Sequence, residues 1–167
     1  NRPLDFLVVA DHAANMGVMD SFMTGNVELL DNIKRKLWNS RLKKVQALEK
    51  TNPQQATKLT YEIINDDFFK SKKFKQSIWS QATQLADQYN QPNQLTTFIG
   101  YEWSAPINLH RVVLFKDGAD KAGQITPLSA LDSSNPDPEE LWAFMATYCK
   151  DTGGDVLAIP HNSNLSN

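Results

Sequence analysis

Four short apolar segments, each closing on polar residues, constrain the fold of this chain more than anything else in its sequence. "LDFLVVA" at 4–10 runs into Asp11 and His12, and "QLTTFIGYEW" at 94–103 ends on Glu102 and Trp103. "LHRVVLFKDG" at 109–118 carries His110 at its start and a turn at Asp117 and Gly118, and "DVLAIPHN" at 155–162 closes on His161. Their β-branched and aromatic content predicts four strands. The first is apolar enough to be buried on both faces.

Between the strands the apolar period lengthens to that of helices. Val27, Leu30, Ile33, Leu37, Leu42, Val45 and Leu48 predict an amphipathic helix over 27–50, broken near Asn39 and Ser40. Thr51 to Pro53 reads as a turn that starts a second helix. Over 70–90, Phe74, Ile78, Trp79, Ala82, Leu85 and Tyr89 predict a third helix with one apolar face, entered through the solvated lysines 70, 72 and 73. A fourth lies in 135–155, with Pro138 in its first turn, acidic residues at its N-terminus and Gly153 past its end. Alternating strands and helices favour a mainly parallel α/β sheet or part of a barrel. The 167 residues suit a single domain, partial if both abrupt ends are cuts in a longer protein, with 18–93 as a helical insertion or cap.

Composition narrows the function classes. Seventeen basic and 19 acidic residues leave a net charge of −2, so no global basic field invites nucleic acid or an anionic membrane surface. No apolar run reaches the roughly 20 residues that span a bilayer. A lone Cys149 excludes an intrachain disulfide framework and a cysteine-rich zinc site. There is no P-loop, no GxGxxG after a strand, no HExxH and no GxSxG.

What remains is a constellation. The chain has three histidines, His12, His110 and His161, and all lie at or beside strand ends, as does Glu102. Loops at such ends can vary without disturbing a core, which is why ligand sites gather there. Imidazole nitrogen and carboxylate oxygen are the donors that zinc, iron and manganese accept. Around them, Asp11 could fix the His12 tautomer and Arg111 could hold a phosphate or carboxylate. Each residue also has a plain structural reading: a hydrogen-bonded strand-end histidine, a polar turn at Pro160 to Asn162, an edge-strand glutamate.

The phrases "RPLDFLVVADHA", "TTFIGYEWS", "NLHRVVLFKDGADKAGQITPLSALDS" and "GGDVLAIPHNSNLSN" resemble the DUF3604 family, related to the PHP (polymerase and histidinol phosphatase) metal-hydrolase superfamily. The resemblance covers the start and roughly the last seventy residues. It implies part of a distorted β/α barrel, with two or three divalent ions (Zn, Mn or Fe) at the strand ends. It assigns His12, Glu102, His110 and His161 as metal ligands, Glu102 bridging, with Asp11 beside His12; next to these ligands, Arg111 and Asn162 are the candidate substrate contacts. It further implies a phosphoesterase with a metal-activated water, acting on a small anionic substrate, and an exported or periplasmic address. Alternatives of the same outline are a hydrolase of nonphosphate esters or amides, and a noncatalytic, truncated barrel fragment that binds a ligand or partner. Relatives of this kind also carry an early HxH and a late Asp-x-His; neither occurs in these residues, which implies further ligands outside the given chain.

Overall fold

The computed structural model describes residues 4–24, 32–105, 110–133 and 137–161, all with side chains except 22 and 32–35. Among these residues the protein is mixed α/β, with seven α-helices and a four-stranded open sheet. The strands β1 (Phe6–Val8), β2 (Thr96–Trp103), β3 (Arg111–Phe115) and β4 (Val156–Pro160) lie side by side in chain order. The chain divides into two compact units, Asn1–Ala14 with Gln76–Asn167, and Asn15–Lys75.

In the first unit the mainly parallel sheet expected from sequence is not what forms. β1 pairs parallel to β2, but β2 pairs antiparallel to β3, and β3 antiparallel to β4. Only residues 104–110 separate β2 from β3, too few for the helical crossover that a parallel pair requires. Therefore β1, β2 and β4 point one way and β3 the other.

One face of this sheet is covered by helix. Trp79 of α5 (Lys72–Tyr89) meets Tyr101 edge-on at 5.9 Å, Tyr101 stacks on Phe115, and Phe115 meets Tyr148 of α7 (Pro138–Thr152) at 4.9 Å. All four rings are buried, and the Trp79 indole N–H donates to the Ala122 carbonyl at 2.8 Å. The inward stripe of α5 differs from the expected one: Trp79 and Thr83 are buried, whereas Leu85 and Tyr89 are both 55% exposed. At about 100° per residue, the bulky indole at 79 turns positions 83 and 86 inward and rotates 85 and 89 away.

The opposite face carries Phe6, Phe98, Leu114, Leu157 and Ile159 by strand alternation and register. Phe6 is 66% and Leu157 53% exposed. The expectation that β1 is buried on both faces is thus overturned. Among the described residues it is an edge strand with β2 as its sheet neighbour, so nothing covers its second side. At the sheet centre Gly100 allows the close spacing: a Cβ there would lie 2.8 Å from both the Val113 carbonyl and a Val8 methyl.

Local capping matches local sequence. Asp137 accepts from the Glu139 amide and Pro138 opens α7, while Gly153 closes it in the left-handed region at φ 62°. The turn into β4 is then fastened by Asp117. Its carboxylate accepts from the Tyr148 hydroxyl (2.9 Å) and the Asp155 amide (2.7 Å) and pairs with Lys121 at 3.3 Å. Burial would raise the Asp117 carboxyl, but these donors outweigh it and hold it below its ordinary 3.8. A folded-state value below the unfolded one stabilises above the unfolded value, and that contribution disappears as pH falls through the folded value. Asp117→Ala is therefore expected to cost about 1–3 kcal/mol near neutrality, with a smaller gap from wild type near pH 3. Urea unfolding of both proteins at the two pH values checks this, and an unchanged gap would refute the ionic account.

The second unit is helical: α1 (Val18–Thr24), α2 (Asn32–Thr51), α3 (Pro53–Ile64), α4 (Asp67–Lys70) and the first residues of α5. The expected start at 27 and the residues Val27 and Leu30 lie outside the described residues. The expected break near Asn39 and Ser40 is absent, and α2 runs through it. Asn and Ser each cost only about 0.5 kcal/mol in a helix interior. Burial of Trp38 and Val45 on the same helix exceeds that. Trp38 packs on Phe69 with centroids 4.4 Å apart, and Phe68 and Phe74 complete the cluster. α3 begins as expected, with Asn52 capping the Gln55 amide and Pro53 in its first turn. Among the described residues no helix is long and apolar enough to cross a membrane.

Candidate metal centre

The reversal of β3 decides where the constellation falls. Residues just after β1, within the end of β2 and just after β4 lie at the same sheet edge as the residue just before β3. That edge holds His12, Glu102, His161 and His110. Register completes the arrangement: His12 is bridged to Glu102, Arg111 pairs with Pro160, and the His161 amide donates to the His110 carbonyl at 3.3 Å. Side-chain alternation then puts all four on the face opposite the helices. Backbone bonds from Glu102 N to Asp11 O (2.8 Å) and from Ala13 N to Glu102 O (2.9 Å) hold the two strand ends together.

Glu102 is the hub. Its Oε1 lies 2.6 Å from His110 Nδ1 and 3.2 Å from His12 Nδ1, and its Oε2 lies 3.2 Å from His161 Nε2. Ser104 donates its hydroxyl to the same Oε1 at 2.9 Å and meets His12 Nδ1 at 2.5 Å. The carboxylate side chain is 11% exposed, whereas the imidazoles of His12 and His161 are 62% and 38% exposed. The site is thus rooted in the sheet and open to solvent.

Burial pushes the Glu102 carboxyl upward, but hydrogen bonds from His110, Ser104 and His161 and the charge of His12 reverse this and hold it below the usual range. It is an anion surrounded by donors. A donor atom from each of His12, Glu102 and His110 lies within 4.8 Å of the others, close enough for one cation to be shared. Two imidazoles and a carboxylate make a borderline set that suits Zn, Mn or Fe. Cys149, on α7, is not part of it.

The remaining sequence candidates fare differently. Asp11 reaches this edge through its carbonyl, which accepts from the Glu102 amide, and the groups that meet His12 Nδ1 are the Ser104 hydroxyl and the Glu102 carboxylate. Arg111 is not brought to the cluster. It follows His110 by one position, so alternation turns it to the helical face, where its guanidinium lies over the Trp142 ring at 5.5 Å. Asn162 lies outside the described residues. Sequence reasoning missed Ser104, although a usable signal was present: it stands two positions beyond Glu102, the interval that returns a strand to the same face.

No curated protein and no solved structure matches the chain. A family model described as "Protein of unknown function (DUF3604)" matches residues 1–167, and with that match along its whole length the chain belongs to the DUF3604 family.

Proposed function

We propose that this chain carries the metal centre of a metal-dependent hydrolase, acting on a phosphoester. The observation that supports it most is the convergence of His12, Glu102, His110 and His161 from four separate strands onto one solvent-open point. Four polar contacts gathered on one nearly buried carboxylate, at an edge open to solvent, form the kind of charge-perturbing constellation that functional sites carry.

His12, Glu102 and His110 would hold a divalent cation, with His161 beside them. Such an ion supplies Lewis acidity toward a phosphoryl oxygen and makes a nearby water more acidic. The chain's own residues define the rest. Glu102 supplies the negative charge that balances the ion and orients three imidazoles. The exposure of His12 and His161 leaves room for an anionic substrate and for water. With Arg111 on the far face, recognition of the anion falls to the ion and the imidazole edges rather than to that guanidinium.

The resemblance to PHP proteins extends this to a sheet that is part of a larger, distorted β/α barrel, with further ligands and a second or third ion contributed by the rest of it. The exposed apolar residues Phe6, Leu157 and Ile159, on the face that bears the site, support that reading. They equally suit a noncatalytic module that docks a partner there. Metal analysis separates the two. The chain purified with Zn, Mn or Fe is expected to retain at least one equivalent and to cleave phosphomonoesters or phosphodiesters in a panel that also holds carboxyl esters and amides. His12→Ala is expected to lower both occupancy and turnover by about 10-fold or more. Absence of stoichiometric metal would overturn the hydrolase, and turnover confined to esters or amides would move the substrate class.

A further inference from the structure

We infer that the solvent face of α2 is a docking surface for anionic lipid headgroups. The whole-chain charge of −2 conceals a division: residues 15–75, the helical unit, hold 12 of the 17 basic residues and 7 of the 19 acidic ones, a net +5. The sheet-bearing unit holds the other 5 basic and 12 acidic residues, a net −7. Charges more than a Debye length apart, about 8 Å at physiological salt, are largely screened, so an approaching surface meets a local face and not the sum.

The basic residues of α2 are not scattered. Lys36, Lys43 and Lys50 recur every seven residues, an interval that brings a helix to within about 20° of the same bearing. They form one row about 21 Å long at 1.5 Å per residue, with Lys44 at its flank. All four lysines are exposed, and among the described residues none makes an ion pair. Ser40 and Ala47 occupy the row between them. Glu49, the single acid of α2, is turned about 100° away from Lys50 and lines a groove with Pro53 and Ala56 of α3. A helix face that needs only solubility mixes signs. A row of one sign without counter-charge fits a partner of the other sign.

The shape of the row selects that partner. Trp38 and Val45 are buried on the opposite side of α2, and Arg41, Leu42 and Leu48 beside them are half-buried, which leaves only the crest of the helix free. To enter the major groove of a nucleic acid a helix must present its flanks as well. A bilayer surface is planar at this scale and meets the crest along its whole length. Its lipids also move laterally, so anionic headgroups can collect beneath each ammonium. With Trp38 and Val45 committed to packing, α2 has no apolar stripe to insert, and the attachment is electrostatic and salt-sensitive.

The test is co-sedimentation of the chain with vesicles of phosphatidylcholine alone and of phosphatidylcholine mixed with phosphatidylglycerol, beside a gel-shift assay on duplex DNA. Wild type is expected to bind the mixed vesicles and not the neutral ones, with affinity falling as salt rises. Lys36→Gln, Lys43→Gln and Lys50→Gln combined are expected to weaken that binding on the order of 100-fold. Glutamine removes the charge and keeps the helix. Lys70→Gln, Lys72→Gln and Lys73→Gln combined take the same charge from exposed positions of the same unit, and are expected to stay within about threefold of wild type. Both variants are expected to keep wild-type circular dichroism. No binding to the mixed vesicles, binding unchanged in the α2 variant, an equal loss in both variants, or retention by duplex DNA in place of the vesicles would each overturn the inference.

Discussion

Glu102→Gln is expected to weaken divalent-metal binding by about 100-fold or more, and to abolish any metal-dependent turnover, while leaving the sheet intact. The substitution keeps size and shape but removes the charge and turns one oxygen into an N–H donor. At that atom a donor would face either His161 or the Oε1 group of His110, His12 and Ser104, all of which donate in the present arrangement. A buried donor facing a donor loses its hydrogen bond and pays its desolvation, about 1–3 kcal/mol before any metal is considered. Removal of the anion also takes away the charge that would balance the cation at a proposed ligand, so the loss is expected to exceed the tenfold typical of disturbed outer contacts. The backbone pairings of Glu102 with Asp11, Ala13 and Val112 do not depend on the side chain. Circular dichroism unchanged from wild type, together with lost binding in calorimetry, is the expected pair of results. Wild-type metal affinity in this variant would show that Glu102 is structural and that the centre lies elsewhere.

The largest stability effect is expected at Trp79. Trp79→Ala removes a fully buried indole that touches Tyr101 and Phe115 and donates to the Ala122 carbonyl. Large-to-small changes of this kind cost about 3–5 kcal/mol, and loss of the indole N–H leaves the Ala122 carbonyl to find a new donor. Against a whole-domain stability of about 5–15 kcal/mol, that is a large share of the total, and a domain at the low end would be brought close to its unfolding midpoint. Thermal and urea unfolding of the variant measure it directly. Trp79→Phe, which retains most of the apolar volume, is expected to lose clearly less. Equal melting of Trp79→Ala and wild type would mean that α5 contributes little to the core.

Much of this protein is legible in local sequence. Asn52 and Pro53, Asp137 and Pro138, and Gly153 mark helix ends because a cap is a contact between residues two or three apart, and any chain with that spelling can make it. The four strands are legible for a similar reason, since alternation and β-branching act within a few residues. The candidate ligands are legible because histidine is scarce here and each one sits at a strand end.

Local sequence misleads where a residue's neighbour lies far along the chain. Strand one is apolar enough for burial, yet Phe6 and Val9 are each 66% exposed, because burial depends on what packs against a strand and not on its own composition. On α5 two apolar stripes compete, and the choice was made by Tyr101 and Phe115, which receive Trp79. Arg111 is adjacent to His110 in sequence and on the other side of the sheet in space, since successive residues of a strand face opposite ways.

The sequence by itself determined the elements, their caps and the chemical identity of the site: three imidazoles and a carboxylate, each at the end of a strand. Only the tertiary structure decided that these ends coincide. Had β3 run parallel to its neighbours, His110 would lie at the far edge, a strand length from Glu102. The connection 104–110 is too short for a parallel crossover, and pairing register then sets all four side chains on one face. Direction and register are properties of hydrogen bonds between distant segments, and no local pattern encodes them.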